Sequence, residues 1–223
     1  MRRFWSYGPI DIDDHYYAPR EELVESAFSR LTGDIATKTG PRKNGLHKDG
    51  HYMTIWAPRQ SGKTWLMIQI YQRLLKDDRF HVVPISLESL KDEKNTAAVI
   101  KDIAKRIGEK LGKNFDGIDS QRKFQDIFKK DQLDKPLILI LDEFDALEEE
   151  AISTLVSAFR NIYIERGYEK DKTPGEKSFL LHAVALIGVR NVLGIENEKG
   201  SPFNVQHSLH VSNLTFREVE DMF

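Results

Sequence analysis

The sequence has no cysteine. That excludes a disulfide framework and any metal site built on thiolates, and it fits a reducing compartment. No apolar run reaches the roughly 18 residues of a membrane helix. Neither charge sign dominates: 33 Lys and Arg stand against 35 Asp and Glu, for a formal charge of −2. A strongly basic nucleic-acid binder is set aside on that balance, although a local basic patch is not. The N-terminus, MRRFWSYGPIDIDDHYY, has two arginines but no long apolar stretch, and Asp11, Asp13 and Asp14 arrive early. No secretion signal is expected from this stretch, and the expected location is the cytoplasm. What remains is ordinary globular composition, 40% hydrophobic and 30% charged over 223 residues. This is enough for one domain with a substantial core, or one domain and part of another.

Apolar periodicity organises the chain. Residues 19–33 read as a helix, with Pro19 in its first turn, Glu21 and Glu22 at its positive end, and Gly33 as its stop. Residues 34–50 are rich in Gly, Lys and Asn and read as a mobile loop. Its Lys38, Arg42, Lys43 and Lys48 are taken first as solvated surface and second as a contact for a phosphate backbone. From residue 51 strands and helices alternate. HYMTIW is a short strand, 64–76 a helix, and HVVPISL (81–87) a strand whose Pro84 suits a sheet edge. Residues 96–111 form a helix ending at Gly112, and 119–130 form a second. PLILILDEF and FLLHAVALIGV (179–189) are continuous apolar runs, as in strands buried on both faces. Between them, 147–166 is a helix. HSLHV is a last short strand, and Thr215 with Glu218 makes a capping box that opens another helix. The alternation predicts an α/β fold of three α/β/α layers around a mainly parallel, five-stranded sheet.

TIWAPRQSGKTWLMIQI (54–70) carries the first chemical signal. A phosphate-binding loop needs unpaired backbone N–H groups at a helix start, little side chain in the way, a lysine for the outer phosphates and a hydroxyl for Mg²⁺. Pro58, Arg59, Gln60, Ser61, Gly62, Lys63, Thr64 and Trp65 stand between a strand and a helix. Gly62 falls where backbone must come close, Lys63 and Thr64 open the helix, and Thr64 is a metal-ligand candidate. The usual opening Gly is replaced by Ala57, the next smallest residue. The plain alternative is a turn before a helix.

LILILDEFDAL (137–147) carries the second signal. A buried parallel strand that ends in a carboxylate places it at the crevice where such sheets bind ligands. Asp142 is then the Mg²⁺ ligand, and Glu143 the base that orients and deprotonates water. The plain alternative is an acidic helix cap. ALIGVRN (185–191) is a strand expected between these two, which would aim Arg190 or Asn191 at the γ-phosphate; the plain alternative is an exposed arginine after a strand.

Together these residues resemble P-loop ATPases of the AAA+ and STAND type, and in particular prokaryotic AAA-like ATPase families whose loop reads Ala-Pro-Arg-Gln-x-Gly-Lys-Ser/Thr. In those families the initial Ala is usual. The resemblance implies ATP and Mg²⁺ as cofactors. It also implies an adenine-side box at YYAPREEL (16–23), with Tyr17, Pro19 and Arg20 as the contacts. GSPFNV (200–205) and LTFREVEDMF resemble the approach to a helical lid. The implied organisation is a segment at 1–50, a P-loop ATPase core at 51–212, and the start of a truncated lid at 213–223, with further domains downstream. Such ATPases often take an arginine finger from a neighbouring copy, which makes a homo-oligomer a candidate partner. Arg160 and Arg166 are the finger candidates, each more readily read as an ordinary surface arginine.

Seven histidines suggest metal only weakly. His47 with His51, and His207 with His210, lack completing ligands, and His182 reads as a core residue. Three roles stay open: an ATP-hydrolysing switch in a larger signalling or defence-type protein, a DNA-loading ATPase like replication initiators, and a non-hydrolysing nucleotide scaffold. No membrane partner is expected.

Overall fold

The computed structural model describes residues 3, 14–34, 49–58, 61–188 and 207–220. The elements are α1 (Glu21–Thr32), β1 (Tyr52–Trp56), α2 (Lys63–Leu74), β2 (His81–Ser86), α3 (Thr96–Leu111), α4 (Gln121–Asp126), β3 (Leu137–Asp142), α5 (Glu149–Tyr168), β4 (Leu181–Gly188), β5 (His207–His210) and α6 (Phe216–Glu220). Single 3-10 turns follow β2 at Glu88–Leu90 and β3 at Phe144–Ala146.

The five strands pair in the order β2-β3-β4-β1-β5, with every pairing parallel. The predicted fold class is the observed one. Pro84 lies on an edge strand, and β4 lies between β1 and β3, as the sequence predicts. The continuous apolar runs divide by alternation into two cores. Leu137, Leu139 and Leu141 of β3 pack with α3, α4 and α5. Ile138 and Ile140 of the same strand pack with α1 and α2. Strands buried on both faces need this residue pattern, and the three-layer architecture follows from it.

Two helix predictions are corrected. The helix expected over 119–130 stops at Asp126. The backbone beyond it turns to a long-range partner: Lys130 N donates to Ser178 O at 2.9 Å, and Leu180 N donates to Phe128 O at 2.7 Å. Those bonds use groups that a continued helix would have consumed. Pro19 lies outside α1 rather than in its first turn, because the helix begins at Glu21 behind an N-cap Arg20 in the left-handed region, φ 47°.

Candidate nucleotide site

The site is built where β1, β3 and β4 end. β1 leads into Ala57, whose N–H donates to Gly188 O at 3.3 Å, joining the ends of β1 and β4. Ser61 Oγ donates to Pro58 O at 2.7 Å and closes the loop. Gly62 caps α2 at φ 87°, a conformation that glycine adopts without steric cost. Apart from its own chain neighbours and the adjoining helix backbone, no heavy atom of the described residues lies within 4 Å of where a Cβ would sit on Gly62. No side chain of the described residues caps α2, and amides at a helix start of this kind can hold an anion. Lys63 is only 8% exposed, and its Nζ donates to Ala57 O at 3.3 Å. Thr64 is exposed in the same turn. Arg59 and Gln60 lie outside the described residues.

Asp142 ends β3 at 8% exposure, and its Oδ1 accepts from Glu143 N at 3.0 Å. Burial pushes its carboxyl above the usual range; the Glu143 amide and Lys63 pull it back, while Asp145 and Glu88 push it further up. Glu143 is raised as well, by burial first and by the Asp142 charge second, with Lys63 opposing. Lys63 therefore shares one electrostatic neighbourhood with both acids. Glu143 sits in the left-handed region, φ 54° and ψ 39°. Among the described residues only Arg20 and Glu143 combine a side chain with positive φ, and strain of this kind concentrates at functional sites. A side chain on Gly188 would collide with the Asp145 carboxyl, so the end of β4 packs against the turn that follows β3. Arg190 and Asn191 lie outside the described residues.

The oxygen donors fit magnesium: a hydroxyl at Thr64 and a carboxylate at Asp142, with no nitrogen or sulfur in the set. No group of three or more His, Asp or Glu among the described residues could hold a metal alone.

The predicted adenine side packs onto the same helix. The Tyr17 and Trp65 rings meet edge to face at 5.6 Å. With its amide oriented to satisfy both partners, Gln69 donates to Pro19 O at 2.9 Å and accepts from Trp65 Nε1 at 2.6 Å. The Arg20 side chain is 6% exposed, and none of its three side-chain nitrogens makes a hydrogen bond to a described residue. Sequence reasoning misses Gln69, Asp145, Glu88 and Glu218 as members of this neighbourhood. Only Glu218 has a signal, its capping box; the others act through contacts that no local pattern encodes.

Arg166 is neither a surface arginine nor a finger. It is buried at the far end of α5, paired through Nη2 to Asp49 Oδ1 at 2.6 Å and through Nη1 to Phe179 O. Arg160 is exposed on α5. His182 is a core residue held by Thr32 O at 3.2 Å from Nε2, although its Nδ1 has no partner. Burial, chiefly, pushes its ring down to about 3. The loop cations Lys38, Arg42, Lys43 and Lys48, as well as His47 and 200–205, fall outside the described residues.

Residues 46–173 match the family model of an AAA domain, more than half of the 223 residues. The chain belongs to the AAA domain family. Solved structures of similar fold include Cdc6p from Pyrobaculum aerophilum, at 18% identity and a TM-score of 0.59 over 92% of this chain and 48% of that one. They also include ORC2 from Aeropyrum pernix in ADPNP–ADP complexes, at 15% identity and a TM-score of 0.53 over 91% and 50%. A third is Drosophila ORC bound to GC-rich DNA and Cdc6, at 9% identity and a TM-score of 0.50 over 91% and 30%. At these identities the likeness is one of fold. This AAA domain spans half or less of the length of each. No curated protein matches the sequence. No helix among the described residues is long and apolar enough to cross a membrane.

Proposed function

We propose that this AAA domain binds Mg-ATP and hydrolyses it. The observation that carries the reading is the convergence of an α2 start that no described side chain caps, a buried Lys63 and two perturbed carboxylates at the end of β3. The amides of the loop and of the first turn of α2 cradle the phosphates, and Lys63 leaves Ala57 O to reach the outer ones. Thr64 and Asp142 hold Mg²⁺, which supplies charge neutralisation on the phosphates. Glu143 accepts the proton of the attacking water, and its raised pKa brings it toward the range a general base needs. Tyr17, Pro19 and Trp65 form the base-side wall. Arg59 and Gln60 belong to the cradle, and Arg190 and Asn191 to the γ-phosphate end, by the resemblance alone.

Calorimetry with Mg-ATP on native and Lys63→Ala chains tests the site; binding is expected in the first and not in the second. Glu143→Gln is expected to keep binding and lose about 10²–10⁴-fold in turnover. Unchanged turnover would favour the non-hydrolysing scaffold.

Two larger roles remain from the sequence. The comparisons lend support to the DNA-loading role, because the similar folds include Cdc6p and ORC proteins, one of them bound to DNA. The STAND-type signalling switch rests on sequence resemblance only. Nucleotide-dependent DNA binding, read by fluorescence anisotropy, separates the two roles. Oligomerisation and a finger from Arg160 belong to the same proposal, and Mg-ATP-dependent mass by light scattering tests them.

A further inference from the structure

Arg20 is a buried cation in an unusual state. Its backbone is left-handed at φ 47°, its side chain is 6% exposed, and Nε, Nη1 and Nη2 all lack hydrogen bonds to the described residues. Guanidinium groups are seldom buried without acceptors, because desolvating their donors is costly. The ion-pair partner is Glu218, with Oε1 at 3.4 Å from Nε. The other oxygen of Glu218 is already committed. Oε2 accepts from Thr215 N at 2.7 Å and from Thr215 Oγ1 at 2.9 Å, while Glu218 N donates back to Thr215 Oγ1 at 3.2 Å. One carboxylate thus closes the capping box of α6 and reaches across 198 residues to the segment before α1. That segment lies against α2, through Tyr17 on Trp65 and Pro19 on Gln69, directly after Lys63 and Thr64.

We propose that Glu218 is a positioning residue for Arg20: it holds the Nε side of the guanidinium so that Nη1 and Nη2 face the bound nucleotide, and it thereby couples α6 to nucleotide occupancy. The inference rests on the nucleotide reading above. A fork fixed on one side loses less side-chain freedom when its other donors are engaged. The coupling is reciprocal, so nucleotide on Nη1 and Nη2 steadies the Glu218 pair and with it the start of α6.

Glu218→Gln is the decisive variant, because Gln still serves a capping box while the charge that faces Arg20 is gone. Thr215→Ala is its control, removing the box and leaving the charge. Mg-ATP affinity is measured by calorimetry on the full chain, and amide exchange across 216–220 is followed with and without nucleotide. The expected result is a Kd about 10-fold weaker in Glu218→Gln, within the usual range of coupling. Thr215→Ala should stay within about twofold of native. Arg20→Gln combined with Glu218→Gln should bind no more weakly than Arg20→Gln alone. Nucleotide should slow α6 exchange in the native chain but not in Glu218→Gln. If Glu218→Gln binds like native while Lys63→Ala does not bind, the coupling is overturned and the nucleotide site stands. If Thr215→Ala weakens binding as much as Glu218→Gln, the carboxylate acts only as a helix cap, and the proposal is again overturned. If the native chain does not bind Mg-ATP, the nucleotide reading itself fails.

Discussion

Two aspartates mark the opposite ends of the parallel sheet, and they titrate in opposite directions. Asp49 precedes β1. Burial pushes its carboxyl up, but Arg166 and Lys177 outweigh that and hold it below the usual range. Asp142 ends β3, where burial wins over the Glu143 amide and Lys63, and the carboxyl is raised. At the Asp49 end the three charges are paired together: Lys177 Nζ donates to Asp49 and to Arg166 O at 3.0 Å, Arg166 also donates to Asp49, and Arg166 reaches Phe179 O. The Asp142 end gathers Asp145 and Glu88 in the neighbourhood of Lys63, and Glu143 there is one of two described non-glycine residues of positive φ. Buried charge that is fully paired fixes a scaffold. Buried charge left in excess, on strained backbone, is what a ligand-binding edge looks like before its ligand supplies the compensation.

The comparison breaks most sharply at Asp49. Asp49→Ala leaves Arg166 and Lys177 buried without their carboxylate. Removing one partner of a buried ion pair costs roughly 3–5 kcal/mol, and the half-buried carboxylate places this case near about 3 kcal/mol. Urea denaturation should show that loss. The carboxylates of the other end are expected to behave differently: Asp142→Asn should leave stability unchanged or higher while abolishing Mg-dependent turnover. Equal destabilisation by both variants would erase the distinction between scaffold and site. The sign for Asp49 follows from its lowered pKa. Its contribution is present above the ordinary aspartate range and is lost as pH falls through the folded value.

His182 sharpens the scaffold side by a smaller amount. The folded ring is held down to about 3 by burial, assisted by Arg166, whereas an unfolded histidine titrates near 6.5. Between those values the unfolded chain binds the extra proton, so stability is full above about pH 6.5 and falls as the pH drops. The loss should reach about 2 kcal/mol at pH 5, since one proton bound only by the unfolded chain costs about 1.36 kcal/mol for each pH unit below 6.5. In His182→Gln, which keeps a donor for Thr32 O, the slope of stability against pH between 5 and 6.5 should flatten by that amount. An unchanged slope would mean that carboxylates alone set the acid limb.

The scaffold end is the less legible in the sequence. The strands show as continuous apolar runs, because burial on both faces leaves no alternation, and the order of β4 between β1 and β3 is readable. The loop at 57–65 and the Asp142–Glu143 pair stand out in the sequence because the proposed phosphate site would draw on residues adjacent in the chain. Asp49, Arg166 and Lys177 have no common motif; they meet through the ends of α5, β1 and β4, so Arg166 reads as surface. The end of α4 is invisible for the same reason, since it is set by pairing between 128–130 and 178–180. Arg20 reads as an adenine contact, but its burial and its partner Glu218 emerge only once α6 is placed.

The smallest effect tests whether the strain at the site edge is real. At φ 54° and ψ 39°, Glu143 bears the left-handed penalty of about 1–2 kcal/mol for an L-residue, which glycine escapes. Replacing it also removes a carboxylate that burial and Asp142 disfavour, so a single variant confounds charge with backbone. Glu143→Ala and Glu143→Gly both lose the charge, and only the second relieves the backbone. Their difference isolates φ, reduced by the greater freedom that glycine gives the unfolded chain, about 0.4–1 kcal/mol. Glu143→Gly should therefore be the more stable of the two by about 0.5–1 kcal/mol, a rise in Tm of about 1–4 °C for a domain of this size. Both should be inactive. A glycine variant no more stable than the alanine variant would mean that the neighbouring turn favours the left-handed backbone by itself. The edge would then be distinguished by its charge alone, with no strain held in reserve for catalysis.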